Sequence, residues 1–272
     1  MSVREIQLAE LDILKFFHHF CETHSLRYSL CAGSLLGAVR HGGFIPWDDD
    51  VDVFMPRDDY DRLRKLIPSS DVVLSEHYRF LDGLGGGYSF PHGKLVDIRY
   101  GVKCEYTEEQ NADYLGMDIF PLDGIPDNRL CADLLYKRVH FLRVLLALTK
   151  AREGQGKSRL KAVMKKPLQR HVRQIGTDPL ARRIDRLCRK QSVRPSGKIA
   201  PVSSTVYGPR EYLSGGAFDN LDTIRFEDSK FCAFREYDEY LSRLYGSYMD
   251  YPPENSRKKH YLRVYEKSQE EQ

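Results

Sequence analysis

Four acids in five positions, Asp48, Asp49, Asp50 and Asp52, run directly into the apolar stretch Val53-Phe54-Met55. That junction restricts the fold more than any other feature of the chain. Alternate side chains of a strand share a face, so Asp50 and Asp52 project together while Val51 and Val53 point into a core. Two carboxylates side by side repel unless a cation compensates them, and an all-oxygen donor set favours hard Mg²⁺ or Mn²⁺ over zinc. Asp48 has the same parity and is expected to support the pair, whereas Asp49 points away. The alternative is an acidic turn that closes a hairpin.

A carboxylate pair of this kind needs a third acid from a neighbouring strand. Asp118 interrupts the apolar run Met117 to Phe120 and is the first choice, with a turn or edge-strand aspartate as its alternative. Asp97, also inside a strand pattern, is the reserve, and Asp123 after Pro121 is read as opening the next turn. A phosphate-holding side is expected at Gly33-Ser34, where a buried strand gives way to a helix and backbone N–H groups can face an anion. Arg40 and His41 at the end of that helix, and Lys94 with His92 more weakly, are the cationic candidates.

The remaining pattern alternates helices with short strands. Ser2 and Glu5 stand at capping-box spacing before Ile6, Ile13, Phe17 and Phe20, which predicts an amphipathic helix ending near His24. Tyr28 to Ala32 reads as a strand, Gly33-Ser34 as a tight turn, and Leu35 to Val39 as helical turns broken by Gly42, Gly43 and Pro46. A strand from Val51 to Met55 ends at Pro56, and Asp58 or Asp59 is expected to cap a helix burying Tyr60, Leu63 and Ile67. Further strands are read at Lys94 to Val102 and at Met117 to Phe120, the latter stopping at Pro121, with a loop over Gly83 to Gly87. From Ser204 onward the reading is loops and short helices, the best helix running from Phe234 to Tyr245. The fold class is α/β (α+β), a mixed sheet flanked by helices.

Charge divides the chain unevenly. Residues 129–198 hold 20 Lys and Arg against 4 Asp and Glu, a local +16 that leaves −13 elsewhere in a chain of net charge +3. The segment reads as helical, interrupted by the Gly154 to Gly156 loop, Pro167 and Pro179. Leu135, Val139, Leu142, Leu146 and Thr149 form one stripe, repeated by Leu180, Ile184 and Leu187, and these stripes are read as packing inward. The chain is thus expected to divide into a core (1–128), a basic helical insertion (129–200) and a segment returning to the core (201–272). Such a block favours polyanions, whether nucleic acid, an anionic membrane face or a phosphorylated substrate, with a solvated basic helical hairpin as the alternative. No apolar run reaches the ~20 residues of a membrane span and the start lacks a signal pattern. The expected location is therefore cytoplasmic, peripheral at the inner face of the membrane. Six scattered cysteines without CxxC and nine histidines without HExxH argue for reduced thiols and against a zinc site.

The runs Gly33 to His41 and Gly43 to Asp52, with Met55-Pro56-Arg57 and Tyr60, resemble the signature of the LicD family. Asp118 to Asp123 agrees, as does the tail: Tyr237 to Leu241, Leu244 to Gly246, Tyr248-Met249, Pro252 to Glu254, and Arg257 before His260. The resemblance implies a nucleotidyltransferase-like fold in which a Gly-Ser turn, the Asp50/Asp52 pair and a third acid, here Asp118, bind a divalent metal, Mg²⁺ or Mn²⁺. It also implies transfer of phosphocholine, or a related phospho-alcohol, from a CDP-activated donor such as CDP-choline to a cell-surface glycan, lipid-linked acceptors included, with release of CMP. Asp118 is then expected to hold a second metal or to take the proton of the attacking hydroxyl. Tyr237, Tyr240, Tyr245 and Tyr248 are candidates for facing a quaternary ammonium. Nucleic acid is not an expected partner. Two rival readings are a nucleotidyltransferase that moves NMP from an NTP, and a basic adaptor that docks on membranes without catalysis.

Overall fold

In the computed structural model, helix α1 (Val3–Thr23) begins with the expected capping box: the Glu5 N–H donates to Ser2 Oγ and Glu5 receives the Ser2 N–H. The structure describes residues 1–67, 75–83, 88, 90–104, 114–151, 159–191, 193–194, 196–257 and 262–267. The expected loops at 84–87 and 154–156, and His260, lie outside them. After α1 come β1 (Ser29–Leu30), α2 (Ala32–His41), β2 (Asp52–Pro56), α3 (Arg57–Leu66), β3 (Tyr78–Asp82), β4 (Gly93–Cys104) and β5 (Tyr114–Gly124). Helices α4 (Arg129–Lys150), α5 (Arg159–Ile175) and α6 (Thr177–Cys188) follow. The chain then forms β6 (Lys198–Ala200), β7 (Leu213–Ser214), β8 (Leu221–Phe226), β9 (Ser229–Phe234), α7 (Tyr237–Tyr245) and β10 (Leu262–Glu266).

The main sheet runs β1-β2-β5-β4-β10, with β3 also on β4 and β6-β7 extending from β5. Among the described residues β2 and β5 pair in parallel and the other neighbouring strands are antiparallel. Ile13, Leu14 and Phe17 of α1, Val53 to Met55 of β2 and Met117 and Ile119 of β5 share one core with Phe226, Phe231 and Phe234 of the β8–β9 hairpin and Tyr240 and Leu241 of α7. A second core lies within the basic segment. Val139, Leu142 and Leu146 of α4 pack with Val172 of α5 and Leu180, Ile184 and Cys188 of α6, so the stripes read from the sequence turn inward.

Several local expectations are corrected. Gly33 and Ser34 are not a turn but the first turn of α2, which starts at Ala32 and ends at Gly42 in the left-handed region. The α3 N-cap is Pro56, with Asp58 and Asp59 inside the first turn, where they complement the helix dipole. Strand β5 runs through Pro121 and carries Asp123. The first β4 residue, Gly93, pairs with Ile119 at the end of that ladder, so the missing N–H of Pro121 costs no ladder bond there. Helix α5 contains Pro167, and Pro179 lies in the first turn of α6, where proline is tolerated. The tail contains the β8–β9 hairpin and β10, both read as loop from the sequence. The two-residue hairpin loop is Glu227-Asp228, without the Asn-Gly type of signal. Its positive φ at Glu227 (57°) is held by tertiary contacts: Arg4 grips the carboxylate at 2.7 and 3.1 Å, and the Phe44 N–H donates to it at 3.2 Å.

Candidate functional site

The parallel pairing of β2 with β5 sets Asp52 opposite Asp118 in register, with the Asp118 N–H donating to the Val51 carbonyl at 3.0 Å. Both aspartates therefore lie on one sheet face, two residues before Phe54 and Phe120 on that same face. The first turn of α2 is stitched to this point. The Asp52 N–H donates to Ser34 Oγ at 2.8 Å, and the Cys31 N–H donates to the Asp52 carbonyl at 3.2 Å. Ser34 is thus buried behind Asp52 as a backbone anchor. Cys31 caps α2 without a side-chain hydrogen bond, and helix geometry leaves the first N–H groups without intrahelical acceptors.

A cavity of about 700 Å³ opens over this junction, and Gly33, Asp48, Asp50, Asp52, Phe54 and Phe120 are among its walls. Arg40, Trp47, Tyr251 and Arg257 form another part of its lining. Arg257 stacks over Trp47 at 4.4 Å and Arg40 over Tyr251 at 5.2 Å. Arg40 donates to the carbonyls of Tyr248 and Asp250 at 2.8 and 3.0 Å, while its buried Nε has no acceptor among the described residues. His41 is packed between Trp47 and Tyr251 and is not part of the cavity wall. Glu211, Tyr207 and Tyr245 contribute a third group of wall residues. Glu211 accepts from Thr205 Oγ1 at 2.5 Å and from the Tyr240 hydroxyl at 3.5 Å, and the two tyrosine hydroxyls meet at 3.0 Å.

Asp48, Asp50, Asp52 and Asp118 form an acidic cluster whose members act on one another. Burial pushes the Asp52 carboxyl well above the usual carboxylate range; Asp50, Asp118 and Asp48 add to the rise, and Lys94 opposes it. Asp118 behaves oppositely. Burial would raise it, but Lys94 at 3.7 Å, His92 at 3.6 Å and the Tyr88 hydroxyl at 3.4 Å hold it at about 2. Lys94 and His92 therefore stand against Asp118 and outside the cavity wall. Burial also drives the Glu10 carboxyl of α1 well above its ordinary value, against the pull of Lys94, and its Oε2 has no partner among the described residues.

The carboxylate oxygens of Asp48, Asp50 and Asp52 are donors of the kind that hard divalent ions take. Among the described residues no three His, Cys, Asp or Glu side chains are gathered closely enough to cage an ion alone.

The reserve acid Asp97 is excluded. It has the opposite parity to Lys94 on β4, is fully buried, and pairs with Arg99 at 2.6 Å. Asp123 is likewise occupied, by Arg57 at 2.6 and 2.7 Å. The sequence reading missed Glu10 and Glu211. Glu10 was visible as an acid on the apolar face between Ile6 and Ile13, whereas Glu211 stands in an irregular segment with no periodic signal.

Gly33 is where a substitution isolates the site from stability. A methyl group there would come 2.8 Å from Asp48 Oδ2, the movable end of a side chain. Gly33→Ala is expected to keep its melting temperature within a few degrees while substrate turnover falls about tenfold, the scale of losing one well-placed group. A melting temperature that collapses with activity would show Gly33 to be structural instead.

Residues 25–130 match the LicD/FKTN/FKRP nucleotidyltransferase domain. Over 265 residues the chain is 29% identical to the lipopolysaccharide cholinephosphotransferase LicD of Haemophilus influenzae, covering 96% of this chain and 97% of that protein. It is also 49% identical over 45 residues to the human ribitol 5-phosphate transferase FKRP, 16% of this chain and 9% of that protein. An uncharacterized protein of Rickettsia typhi is 27% identical over 147 residues, half of this chain and 43% of that one.

Proposed function

This chain is a transferase of the LicD family, and on that premise we propose that it moves phosphocholine, or a related phospho-alcohol, from a CDP-activated donor to a hydroxyl of a glycan. The reading rests above all on the parallel register that sets Asp118 beside Asp52, which lines the cavity together with Asp50 and Arg40. In the reaction the acceptor oxygen bonds to the phosphorus that bears the alcohol, the anhydride P–O bond breaks, CMP leaves with that electron pair and the hydroxyl proton is released.

Asp50 and Asp52 are the residues that would hold Mg²⁺ or Mn²⁺, with Asp118 beside them. Such an ion supplies positive charge against the diphosphate oxygens as the anhydride breaks. Arg40 orients the donor, its unpartnered Nε offering a hydrogen bond to an anionic oxygen. Asp118, kept ionised by Lys94 and His92 against burial, holds a negative charge next to Asp52, from where it would ligate a second metal or accept the proton of the attacking hydroxyl. The headgroup falls to Glu211 with Tyr207 and Tyr245, a carboxylate beside aromatic rings, which suits a quaternary ammonium.

The test is release of CMP from CDP-choline in the presence of Mg²⁺ and a lipopolysaccharide acceptor, with CDP-glycerol and NTPs as alternative donors. CMP release that needs both Mg²⁺ and acceptor supports the proposal. Pyrophosphate from an NTP, with CDP-choline inert, would replace it by nucleotidyl transfer. Glu211→Gln is expected to lower kcat/KM for CDP-choline about tenfold, roughly the worth of one cation contact, and to leave CDP-glycerol use unchanged. An equal loss with both donors would remove Glu211 from headgroup selection.

A further inference from the structure

Helix α4 is apolar on two opposite faces. One carries the buried Val139, Leu142 and Leu146. The other leaves Leu130 78%, Leu134 48%, Phe141 61% and Val144 45% exposed, a line at i, i+4, i+11 and i+14 with the exposed Lys137 at the i+7 position. On α5, Leu168 and Ile175, one heptad apart, are 47% and 40% exposed, with Arg170 and His171 exposed between them. Soluble surfaces seldom keep such lines of large apolar side chains uncovered.

The charge of the segment selects what covers them. Residues 129–198 carry +16, so a second copy of this segment would be repelled, and the occupant must be anionic. Nucleic acid phosphates answer the cations but offer nothing to a line of Leu, Phe and Val. An anionic lipid surface answers both at once: headgroups meet Lys and Arg while apolar side chains enter the acyl boundary. Among the described residues no helix is long and apolar enough to cross a membrane, so the contact is one of lying on the surface. We propose that the outward faces of α4 and α5 dock this protein on an anionic lipid bilayer. The inference is independent of the proposed transfer chemistry.

The test is co-sedimentation of the full chain with phosphatidylcholine vesicles, with and without phosphatidylglycerol. Binding is expected to be at least about tenfold stronger to the anionic vesicles and to weaken as salt rises. The double variant Leu134→Ser/Phe141→Ser, which keeps every charge, is expected to lose about tenfold in affinity at an unchanged melting temperature. In a Phe141→Trp variant, brominated lipids are expected to quench the new tryptophan beyond any quenching of Trp47 in the parent chain. Equal binding to both vesicle types, or anionic binding untouched by the double serine variant, would overturn the proposal. So would a dimer in sedimentation velocity that the double variant abolishes.

Discussion

Asp52→Asn is expected to lower acceptor-dependent CMP release by about 10²–10³-fold, the scale for removing one preorganised charged group from a transfer site, while melting at the same temperature as the parent chain or higher. The two halves of this expectation come from one cause. Burial, with Asp50, Asp118 and Asp48 adding, raises the folded-state value of the Asp52 carboxyl above that of the unfolded chain. A group raised in this way contributes stability at low pH that is lost as pH rises through the folded value. Above that folded value the ionised Asp52 is a cost to the metal-free fold, and asparagine removes the cost together with the function. Thermal melting without divalent ions, alongside the CMP assay, checks both. A fall of several degrees would show that Asp52 is held for structure, and undiminished turnover would remove it from the site.

The largest stability loss is expected at Arg57, which is 7% exposed at the start of α3. Its guanidinium makes a two-pronged pair with Asp123 at 2.7 and 2.6 Å and reaches Asp185 of α6 at 3.0 Å. Burial works against its charge, and Asp123 with Asp185 more than offsets that, holding it above the usual arginine range. Arg189 extends the network from Asp185 at 2.6 Å to Asp61 at 2.5 and 2.7 Å. One arginine thus ties the carboxyl end of β5 and the basic helical segment to α3. Arg57→Ala is expected to cost about 3–5 kcal/mol, because the buried Asp123 loses its partner and Asp185 keeps only Arg189. Urea unfolding at constant m-value reads the loss. Arg57→Met combined with Asp123→Leu is expected to recover most of it, since an apolar pair replaces the ion pair without stranding a charge. A loss under about 1 kcal/mol in the single variant would show that solvent reaches the network.

Much of this molecule is written in local pattern. The capping box of Ser2 and Glu5, the α1 stripe, the stop at Gly42 and the inward stripes of α4 and α6 follow from spacing alone, since a helix or strand face is a property of a few consecutive residues. Strand parity does not reach back to Asp48, Asp49 and Asp50, because β2 begins only at Asp52 and the residues before it are irregular; Asp48 and Asp50 join Asp52 at the cavity through the loop that leads into the strand. Other features have no local cause. Pro121 lies inside a strand only because the β4 ladder ends beside it, and Glu227 takes a left-handed turn only because Arg4 and the Phe44 N–H hold its carboxylate. Asp97, Asp118 and Asp123 look alike in sequence, each an acid in an apolar run. Asp97 pairs with Arg99 two residues along its own strand, whereas tertiary pairing places Asp118 beside Asp52 and Asp123 on Arg57. Glu10 and Glu211 reach the acidic cluster and the cavity from 40 residues before Asp50 and more than 90 after Asp118. Such placements depend on contacts between distant segments, which sequence periodicity does not encode, whereas the face a side chain occupies within its own element is decided by its immediate neighbours.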